Sequence, residues 1–575
     1  MDKFFCVLFV YSTVSTLFAA DPKNDKVNHL PGLNFEINYD LYSGYLNAGK
    51  NGDWKMHYML IESKGPKSDD DPILVWLQGG PGCSSFGAIF EELGPFYMSP
   101  DGKSLFENKY AWNNRANLLF LESPIGVGFS YDKTNPQFDD ANDDQAKEMN
   151  YVALSDFFNS YSKYTNRSFF LAGESYSGVY IPMLAARLVQ GIANGTFPNP
   201  NFQGAAIGNG YLDVARLYNS LVLWSGYHGR VSVQEWDFLK SECTSGMSRM
   251  GDMDTYNFFS YLRTTNYLTD FASDNSTCGN LIMRLVTVPD GMDAENYYQD
   301  CFDPKWYQSS MEKLDKTLPK HPAKLKRIRR RAAIHEKASF YQSFATSFNY
   351  GSTDPFNGYP CWNYVPRWHW VNSLEVKKAL NIDESWIDSN YTWFDCNNDM
   401  YNKYVMTYIE QYQFFEIFFK INTKKDFRFL IYNGDVDTVC NYLGDAWFVL
   451  ELAKRNGMSA SDRKEWWFAG QTAGYTQRYT HSNGVIVDLV TVKGAGHFVP
   501  TDRPGASRQM ITNFILPDKD NKPDYNSTTN ADPMPTFSPI IETETSKMTE
   551  SSTTNTASTA SLSPSFETTT KMRVN

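Results

Sequence analysis

A serine in a glycine-rich turn is the first residue of this sequence with a chemistry of its own. The stretch FLAGESYSGVYIP, residues 170–182, places Ser175 between an apolar run and an apolar segment typical of a helix. A strand, a tight turn and a helix in this order form a nucleophile elbow, which exposes the serine hydroxyl above a sheet. The usual pattern has glycine two residues after the serine, whereas here Ser177 stands there and Gly178 follows. The stretch therefore predicts a nucleophile whose partners lie further along the chain.

A serine hydroxyl is a weak nucleophile near neutral pH and needs a base, which is most often histidine. The histidines that follow the serine are His228, His321, His335, His369, His481 and His497. Only His497 lies in a glycine-rich loop, GAGHFVP, directly after a predicted buried strand. His481, in RYTHSNG, is typical of a turn, and the others fit surface or cap positions. The sequence therefore favours His497 as the base.

The histidine in turn needs a carboxylate that fixes its tautomer and stabilises the imidazolium. The segment NGDVDTVC follows the apolar run FRFLIY and offers Asp435 and Asp437. Both would lie at the carboxyl end of a strand, where α/β sheets carry their functional groups. Spacing does not distinguish the two aspartates, and one of them is also a candidate cap for the following helix.

The stretch WLQGGPGCSS, residues 76–85, ends an apolar run in glycines that could bind an oxyanion. The expected donors are the backbone N–H of Gly80 and that of Tyr176, the residue after the serine. A phosphate-binding loop is the alternative, but no lysine follows these glycines. The combination favours attack by serine on a carbonyl carbon.

The elements that must position these residues indicate an α/β fold. Continuous apolar runs, typical of strands covered on both faces, occur at residues 73–77, 117–122, 168–173, 205–208, 427–432 and 485–492. A helical stretch at about residues 141–164 supplies a crossover between strands. Residues 41–63 instead alternate apolar and polar side chains, which indicates an antiparallel start to the sheet.

Changes of pattern divide the chain into segments. Residues 1–20 are typical of a signal peptide, because polar residues interrupt the apolar run before it could span a membrane. The strand pattern occupies residues 21–210 and 355–518, and the helical stretches and loops between them, 211–354, predict a cap insertion. Residues 519–575 are rich in Ser, Thr, Asn and Pro, which predicts a disordered tail without an anchor.

The insertion also contains a basic run, KLKRIRRR, at residues 324–331. Such a run fits either a solvated helix face or an exposed processing site. The whole chain is acidic, with 53 basic and 65 acidic residues and a formal net charge of −12. It therefore lacks the basic surface that a nucleic-acid partner requires.

Cysteines and sequons are those expected of a protein in an oxidising compartment. Of eight cysteines, Cys6 lies in the signal, and the other seven contain no closely spaced pairs typical of a zinc site. Three disulfides and one free thiol, with no metal or cofactor, are the expectation. Glycosylation sequons stand at Asn166, Asn194, Asn275, Asn390 and Asn526. We therefore expect a luminal protein, either secreted or lysosomal.

Five motifs, in this order, resemble the serine carboxypeptidase family and, within it, the lysosomal cathepsin A type. They are WLQGGPGCSS, LESPIGVGFSY, GESYSGVYIP, NGDVDTVC and GAGHFVPTDRP, and the resemblance covers roughly residues 34–516. It implies an α/β-hydrolase fold with a mixed, mostly parallel sheet and an inserted helical cap. It also implies the triad Ser175, Asp437 and His497, with Gly80 and Tyr176 as oxyanion donors.

The resemblance also gives a reason for the acid that precedes the serine. In the family a hydrogen-bonded pair of glutamic acids, which matches Glu174 and Glu92, binds the free carboxylate of a peptide with help from the glycine loop around Gly79. Two neighbouring carboxyls do not both ionise readily, so one keeps its proton and donates to that carboxylate. The implied activity is removal of C-terminal residues from peptides, with an acidic optimum.

Two positions depart from the family pattern. Gln78 replaces the usual asparagine of the carboxylate-binding loop, and it is one methylene longer. Phe498 stands where a methionine often lines the leaving-group pocket. We expect both to contact substrate, and Phe498 to alter which C-terminal residues are preferred.

Cysteine pairing is also implied by the resemblance: Cys83 with Cys396, Cys243 with Cys278, and Cys301 with Cys361. Cys440, next to the candidate aspartates, would then be the free thiol, either buried and inert or reactive. Two alternatives to a carboxypeptidase are compatible with the same resemblance. One is an esterase or acyltransferase with the same triad, and the other is a protective partner of luminal enzymes, with a homodimer as a further expectation.

Overall fold

The fold is taken from a computed structural model, which describes residues 20–99, 102–135, 138, 140–247, 256–268, 270–289, 292–298, 364–389, 391–420, 427–518 and 522–541. The predicted signal peptide, the basic run at 324–331 and the expected Cys301–Cys361 pair lie outside the described residues. So does Asn390. Among the described residues, no helix is long and apolar enough to cross a bilayer.

A mixed sheet of 12 strands lies at the centre of the described chain. The strands of the described residues are β1 (Leu41–Asn47), β2 (Trp54–Ile61), β3 (Ile73–Leu77), β4 (Phe96–Met98), β5 (Leu105–Glu107), β6 (Asn117–Leu121), β7 (Tyr131–Asp132), β8 (Phe169–Ser175), β9 (Phe202–Gly210), β10 (Leu262–Arg263), β11 (Ala272–Ser273), β12 (Arg428–Gly434), β13 (Ser459–Ala460), β14 (Lys464–Phe468), β15 (Gln471–Thr480) and β16 (Ile486–Val492). The sheet order is β1-β2-β6-β3-β8-β9-β12-β16-β15-β13, with β14 beside β15 and β7 beside β2. Strands β6 to β16 in this order run parallel, and the strands at both edges are antiparallel.

Helices cover both faces of the sheet. They are α1 (Asp143–Ser160), α2 (Ser177–Ala193), α3 (Val214–Tyr227), α4 (Val233–Ser241), α5 (Thr277–Val286), α6 (Tyr364–Asn372), α7 (Leu374–Ala379), α8 (Glu384–Asp388), α9 (Asn398–Lys403), α10 (Tyr412–Lys420), α11 (Tyr442–Arg455), α12 (Val499–Asp502) and α13 (Pro504–Ile515). Alternate residues of β3 point into two cores: Val75 packs with α1 and α2 on one face, and Trp76 packs with α13 on the other. Burial on both faces is why the central strands are continuous apolar runs.

The described part of the predicted cap has a small apolar core of its own. Helices α3, α4 and α5 pack around buried residues such as Val222, Leu239 and Ile282, and the disulfide Cys243–Cys278 crosses this core. Two short strands, β10 and β11, form a hairpin here, where the sequence predicted only helices and loops. Each is two residues long, too short to leave a periodic pattern.

The structure differs from the predicted tail for residues 522–541, which pack on the core. Tyr525 is buried, and its hydroxyl donates to Asp488 Oδ2 at 2.8 Å. Phe35 pairs with Ile540 in an antiparallel bridge. A polar composition indicated disorder, but a few apolar side chains and backbone hydrogen bonds order a segment when a folded surface receives them.

Candidate active site

Ser175 lies at the turn between β8 and α2. It is the last residue of β8, has a φ of 62°, and is followed by Tyr176 before α2 begins at Ser177. A positive φ is strained for a residue with a side chain, and such strain is common where a fold aims a functional group. Ser175 is also partly exposed between buried neighbours. The turn therefore presents its hydroxyl at the carboxyl end of the sheet, as an elbow does.

Ser177 explains how this turn departs from the usual elbow pattern. Its Oγ donates to the carbonyl oxygen of Leu77 at 2.6 Å, and the side chain is fully buried. A Cβ at Gly173 would lie 2.2 Å from the same carbonyl oxygen, so glycine is needed there instead. The serine thus fits because its hydroxyl is satisfied by the neighbouring strand.

Asp437 and His497 form a buried pair. His497 Nδ1 is 2.8 Å from Asp437 Oδ2, and both side chains are almost inaccessible to water. Oδ2 also accepts from Asn209 Nδ2 at 2.8 Å, and Oδ1 accepts from the backbone N–H of Val439 at 2.7 Å. A carboxylate held by several donors orients the imidazole firmly and leaves Nε2 to act on a substrate or nucleophile.

Asp435, the other candidate acid, has a different partner. Its Oδ1 accepts from the backbone N–H of Gly494 at 2.6 Å, in the loop that carries the histidine. Burial raises the pKa of this carboxyl. Neither aspartate caps the next helix, because Asn441 is the N-cap of α11. The contacts therefore distinguish two aspartates that the sequence alone could not.

The order of strands brings the three residues to one edge of the sheet. Strands β8, β9, β12 and β16 are consecutive neighbours and parallel. Ser175 ends β8, Asp437 follows β12 and His497 follows β16. Functional groups of α/β sheets lie at such carboxyl ends. Asn209, at the end of β9, fills the interval between the serine strand and the aspartate loop.

The glycine loop lies directly against the serine turn. A Cβ at Gly79 would lie 2.6 Å from the backbone nitrogen of Tyr176 and 2.7 Å from Ser175 Cβ, so any side chain there would clash. Gly80 has a φ of 116°, which L-residues with side chains rarely adopt. The disulfide Cys83–Cys396 holds the loop from its far end. These contacts place backbone donors of both segments around the serine.

Glu174 and Glu92 are two buried acids beside the nucleophile. Glu174 is 1% exposed and Glu92 is 4% exposed, and their side chains are close enough to share a hydrogen bond. The pKa of Glu92 is raised to about 8, chiefly by burial and then by the charge of Glu91. Burial, and then the charge of Glu92, also raises the pKa of Glu174 well above its ordinary value. At acidic pH the pair therefore holds protons that it can donate.

Gln78 is bound on both sides of its amide. Its Oε1 accepts from Trp76 Nε1 at 2.8 Å, and its Nε2 donates to Glu174 Oε1 at 2.8 Å. The indole N–H fixes which end of the amide faces the acid. Gln78 is therefore hydrogen-bonded to one member of the acid pair, Glu174. Its side chain, one methylene longer than asparagine, connects Trp76 to that glutamate.

Phe498 lies beside the histidine and is partly exposed. The centroids of the Phe498 and His497 rings are 5.3 Å apart in an edge-to-face arrangement. An aromatic wall at this place narrows the space next to the base and offers an apolar surface to a substrate side chain.

Several buried polar groups around the site were not predicted from the sequence. Asn209 of β9 binds Asp437 in the loop after β12, and Asp445 of helix α11 accepts from Asn433 Nδ2 of β12 and from the Gly210 N–H of β9. Burial raises the pKa of Asp445 to about 7. Their one visible signal is position, because each lies at the end of a buried strand or in the first turn of a helix at the carboxyl edge of the sheet.

The cysteines and sequons are placed as follows. Two of the expected disulfides, Cys83–Cys396 and Cys243–Cys278, are present among the described residues. Cys440 is a buried free thiol, and burial, with the charge of Asp437, raises its pKa well above its ordinary value, which favours the inert form. The exposed sequon asparagines are Asn166, Asn194, Asn275 and Asn526. Among the described residues, no cluster of three or more His, Cys, Asp or Glu is arranged to hold a metal ion.

Comparisons with known proteins identify the family of the chain. Residues 31–517 match the Peptidase_S10 family, serine carboxypeptidase. The chain is 46% identical over 554 residues to serine carboxypeptidase ctsa-3.1 of Caenorhabditis elegans, covering 91% of this chain and 94% of that one. It is 33% identical over 507 residues to the lysosomal protective protein of Mus musculus, covering 86% and 94%.

A solved structure shares the fold. Kex1Δp, a prohormone-processing carboxypeptidase from Saccharomyces cerevisiae, matches with a TM-score of 0.59 at 18% identity, covering 86% of this chain and 95% of that chain. At this identity the match shows the α/β-hydrolase fold. With the family match over nearly the whole folded region, it follows that the chain belongs to the serine carboxypeptidase family.

Proposed function

We propose that this protein removes single residues from the C-terminus of peptides at acidic pH, through an acyl-enzyme on Ser175. The observation that carries the proposal is the buried acid pair: Glu174 immediately precedes the nucleophile, and both Glu174 and Glu92 hold protons at acidic pH. A neutral carboxyl can donate a strong hydrogen bond to a carboxylate. A peptide's free C-terminus is the carboxylate that would lie one residue beyond the bond under attack.

In the proposed mechanism Ser175 Oγ attacks the carbonyl carbon of the last peptide bond while His497 takes the hydroxyl proton. The N–H groups of Gly80 and Tyr176 stabilise the oxyanion. His497 then gives its proton to the leaving nitrogen, the C–N bond breaks, and the C-terminal amino acid departs. Water, deprotonated by His497, hydrolyses the ester and restores the serine. Asp437 holds the imidazole throughout.

Substrate selection is proposed to come from the residues around the acid pair. Glu174 and Glu92 would bind the C-terminal carboxylate, with Gln78 and the backbone of Gly79 beside them, and Phe498 would contact the leaving residue. As pH rises, the acids lose their protons and would repel the carboxylate. Because the pKa of Glu92 is raised to about 8, this predicts activity at acidic pH that declines as the pH approaches and passes about 8.

The test compares one peptide with its C-terminal amide. At pH 5 the parent enzyme should have the higher kcat/KM for the free acid, and the preference should narrow as the pH rises toward and past the pKa of Glu92, which is raised to about 8. The Glu174→Gln variant keeps a donor but cannot ionise, so its preference should change less with pH. Equal kcat/KM for acid and amide in both proteins at every pH would overturn the proposed carboxylate site.

We also propose that the protein acts in the secretory pathway, as a secreted or lysosomal enzyme. The exposed sequons, the two disulfides and the raised pKa values of Glu92 and Glu174 support this location. A mouse relative is named lysosomal protective protein. Homodimer formation and association with other luminal enzymes remain predictions, to be checked by the mass of the purified protein in solution.

A further inference from the structure

A short segment from the insertion lies across the two loops of the Asp437–His497 pair. The segment is residues 294–297, far from both loops in sequence. The backbone N–H and the Oγ1 of Thr438 donate to the Ala294 carbonyl at 3.1 and 2.7 Å. The N–H of His497 donates to the Glu295 carbonyl at 2.6 Å, and the N–H of Tyr297 donates to the Val436 carbonyl at 3.0 Å. The segment therefore binds the aspartate loop and the histidine loop at once.

Asn296 anchors this segment in the interior. It is 6% exposed, and its Nδ2 donates to Asp502 Oδ2 at 3.0 Å. The same oxygen accepts from the backbone N–H of Gly496, next to the histidine, at 2.6 Å. A Cβ at Gly496 would lie 2.8 Å from Asn296 Cβ, so glycine is what permits this close approach. One buried carboxyl oxygen thus joins the segment to the histidine loop.

We propose that residues 294–297 are a positioning segment for the Asp437–His497 pair, with Asn296 acting through Asp502 as its anchor. This rests on the proposed roles of Asp437 and His497. The insertion then does more than cover the site, because it sets the geometry of the base. A base held slightly out of place lowers the rate of proton transfer while leaving the binding of the substrate's carboxylate intact.

Other contacts between the two loops limit how far kcat should fall when the segment's anchor is lost. The two loops also bind each other directly, since the N–H of Val436 donates to the Ala495 carbonyl at 3.0 Å. Loss of the segment's anchor should therefore loosen the pair without dismantling it. We expect a fall in kcat of about tenfold, well short of the loss of a triad residue.

The test is Asn296→Leu, which keeps the shape of the side chain and removes its donor. We expect kcat and the rate of Ser175 modification by a serine-reactive phosphonate to fall together, with KM nearly unchanged. The affinity for the free-acid peptide, measured in a Ser175→Ala background, should also be unchanged. A substrate-contacting role would instead raise KM and weaken that affinity.

Asn199→Leu is the matched control. Asn199 is equally buried and donates from Nδ2 to two backbone carbonyls, but it precedes β9 at the opposite edge of the sheet. Its loss should lower stability and leave kcat and the phosphonate rate of the folded protein at parental values. A lower kcat in both variants would mark a general effect of lost stability and overturn the proposal.

Thr438→Val keeps the proposal testable if Asn296→Leu does not fold. It removes only the hydroxyl bond to Ala294, and a fall in kcat of about threefold is expected. Where both variants fold, their effects should be less than additive, because they weaken one segment. Parental kcat and phosphonate rates in every folded variant would overturn the segment's role, whereas full turnover by Ser175→Ala would instead overturn the triad on which the proposal rests.

Discussion

Single residues differ in role here even when they are close neighbours in the sequence. Asp437 binds His497, whereas Asp435 binds the backbone of Gly494. We predict that Asp437→Asn lowers kcat by about 10³ to 10⁴, because the histidine loses its orientation and charge partner. Asp435→Asn should lower kcat far less. The measurement is kcat for both variants at pH 5, and the reverse ranking would move the catalytic acid to Asp435.

Ser175→Ala provides the reference for this series. Turnover should be abolished while substrate binding and thermal stability remain close to parental, because the hydroxyl is needed only for covalent chemistry. Kinetics with a blocked dipeptide check the loss of turnover, and direct measurement of peptide binding checks that binding is retained. Substantial activity in this variant would show that another nucleophile is at work.

Gln78 is predicted to set the pH at which substrate recognition fails. Its hydrogen bond to Glu174 favours the ionised acid and so lowers the pKa of that carboxyl, against the larger effect of burial. Gln78→Leu removes this bond, so Glu174 should keep its proton to higher pH. The preference for a free acid over an amide should then persist to a higher pH than in the parent enzyme, although KM rises. An unchanged or lower transition pH would contradict this role.

The local sequence pattern identified some residues of the site and gave no indication of others. Ser175 and His497 stand out because a turn or a glycine-rich loop follows a buried strand. Asn209, Asn296 and Asp502 gave no such signal, because each acts through a partner that only the folded chain brings close. The choice between two aspartates likewise depended on contacts across strands, which spacing does not encode.

At the scale of elements, Glu122 joins several segments beneath the site. Its carboxylate accepts hydrogen bonds from four donors: His57 Nδ1, Ser84 Oγ, Trp393 Nε1 and the Phe129 N–H. In Glu122→Gln an NH₂ group would face donors, and at least one buried bond is lost. We predict destabilisation of about 3 kcal/mol by denaturant unfolding.

The control for this prediction is Glu148→Gln on helix α1. Glu148 pairs with Arg187 at 3.1 Å, but its side chain is 50% exposed. An exposed ion pair contributes little, so this variant should change stability by less than about 1 kcal/mol. Equal losses of stability in the two variants would show that the buried hydrogen bonds of Glu122 stabilise the fold no more than an exposed ion pair does.

The central strands and the antiparallel edge formed by β1 and β2 were predicted from the sequence, whereas the opposite edge was not, for a physical reason. Strands such as β3 and β12 are buried on both faces, so they contain apolar runs, ILVWL in β3 and FLIY in β12, that are visible in the sequence. The hairpin of β14 and β15 has mixed exposure and a shift of register between Trp466 and Trp467, so no simple alternation marks it. Its pairing is set by β16, which lies beside β15 in the sheet.

For the whole molecule, buried carboxyls link stability to acidic pH. The pKa of Glu92 is raised from 4.5 to about 8, and the pKa values of Asp445 and Asp502 are raised from 3.8 to about 7, each chiefly by burial. Between the ordinary and the raised values the folded state binds more protons than the unfolded state. Stability should therefore fall as pH rises from about 4 to about 8.

Unfolding free energies at pH 4.5, 6 and 7.5 check this dependence. Glu92→Gln removes one of the raised groups and should flatten the decline in both intervals, from pH 4.5 to 6 and from pH 6 to 7.5. Glu148→Gln, which alters an exposed carboxyl, should leave the slope as it is. A parental protein whose stability rises through this range would contradict the assignment of protons to the buried acids.

Residues 522–541 are predicted to stabilise the whole fold. Besides Tyr525, Asn530 contributes, since its carbonyl accepts from Arg115 Nη1 at 3.1 Å, and Ser538 Oγ donates to Glu107 Oε1 at 2.9 Å. Truncation after Ile541 should leave the melting temperature unchanged. Truncation after Asp518 should lower it by several degrees, about the effect of 1 to 2 kcal/mol. Equal melting temperatures would show that residues 522–541 add no stability.

The disulfide between Cys83 and Cys396 has a consequence for covalent topology. The two cysteines are 313 positions apart, so the ring they close contains the whole insertion, including the basic run at 324–331. A single backbone cut inside this ring would open it without releasing either fragment. Both parts of the core, with the glycine loop on one and the histidine on the other, would remain one molecule until the disulfide is reduced, whether or not Cys301 and Cys361 are joined.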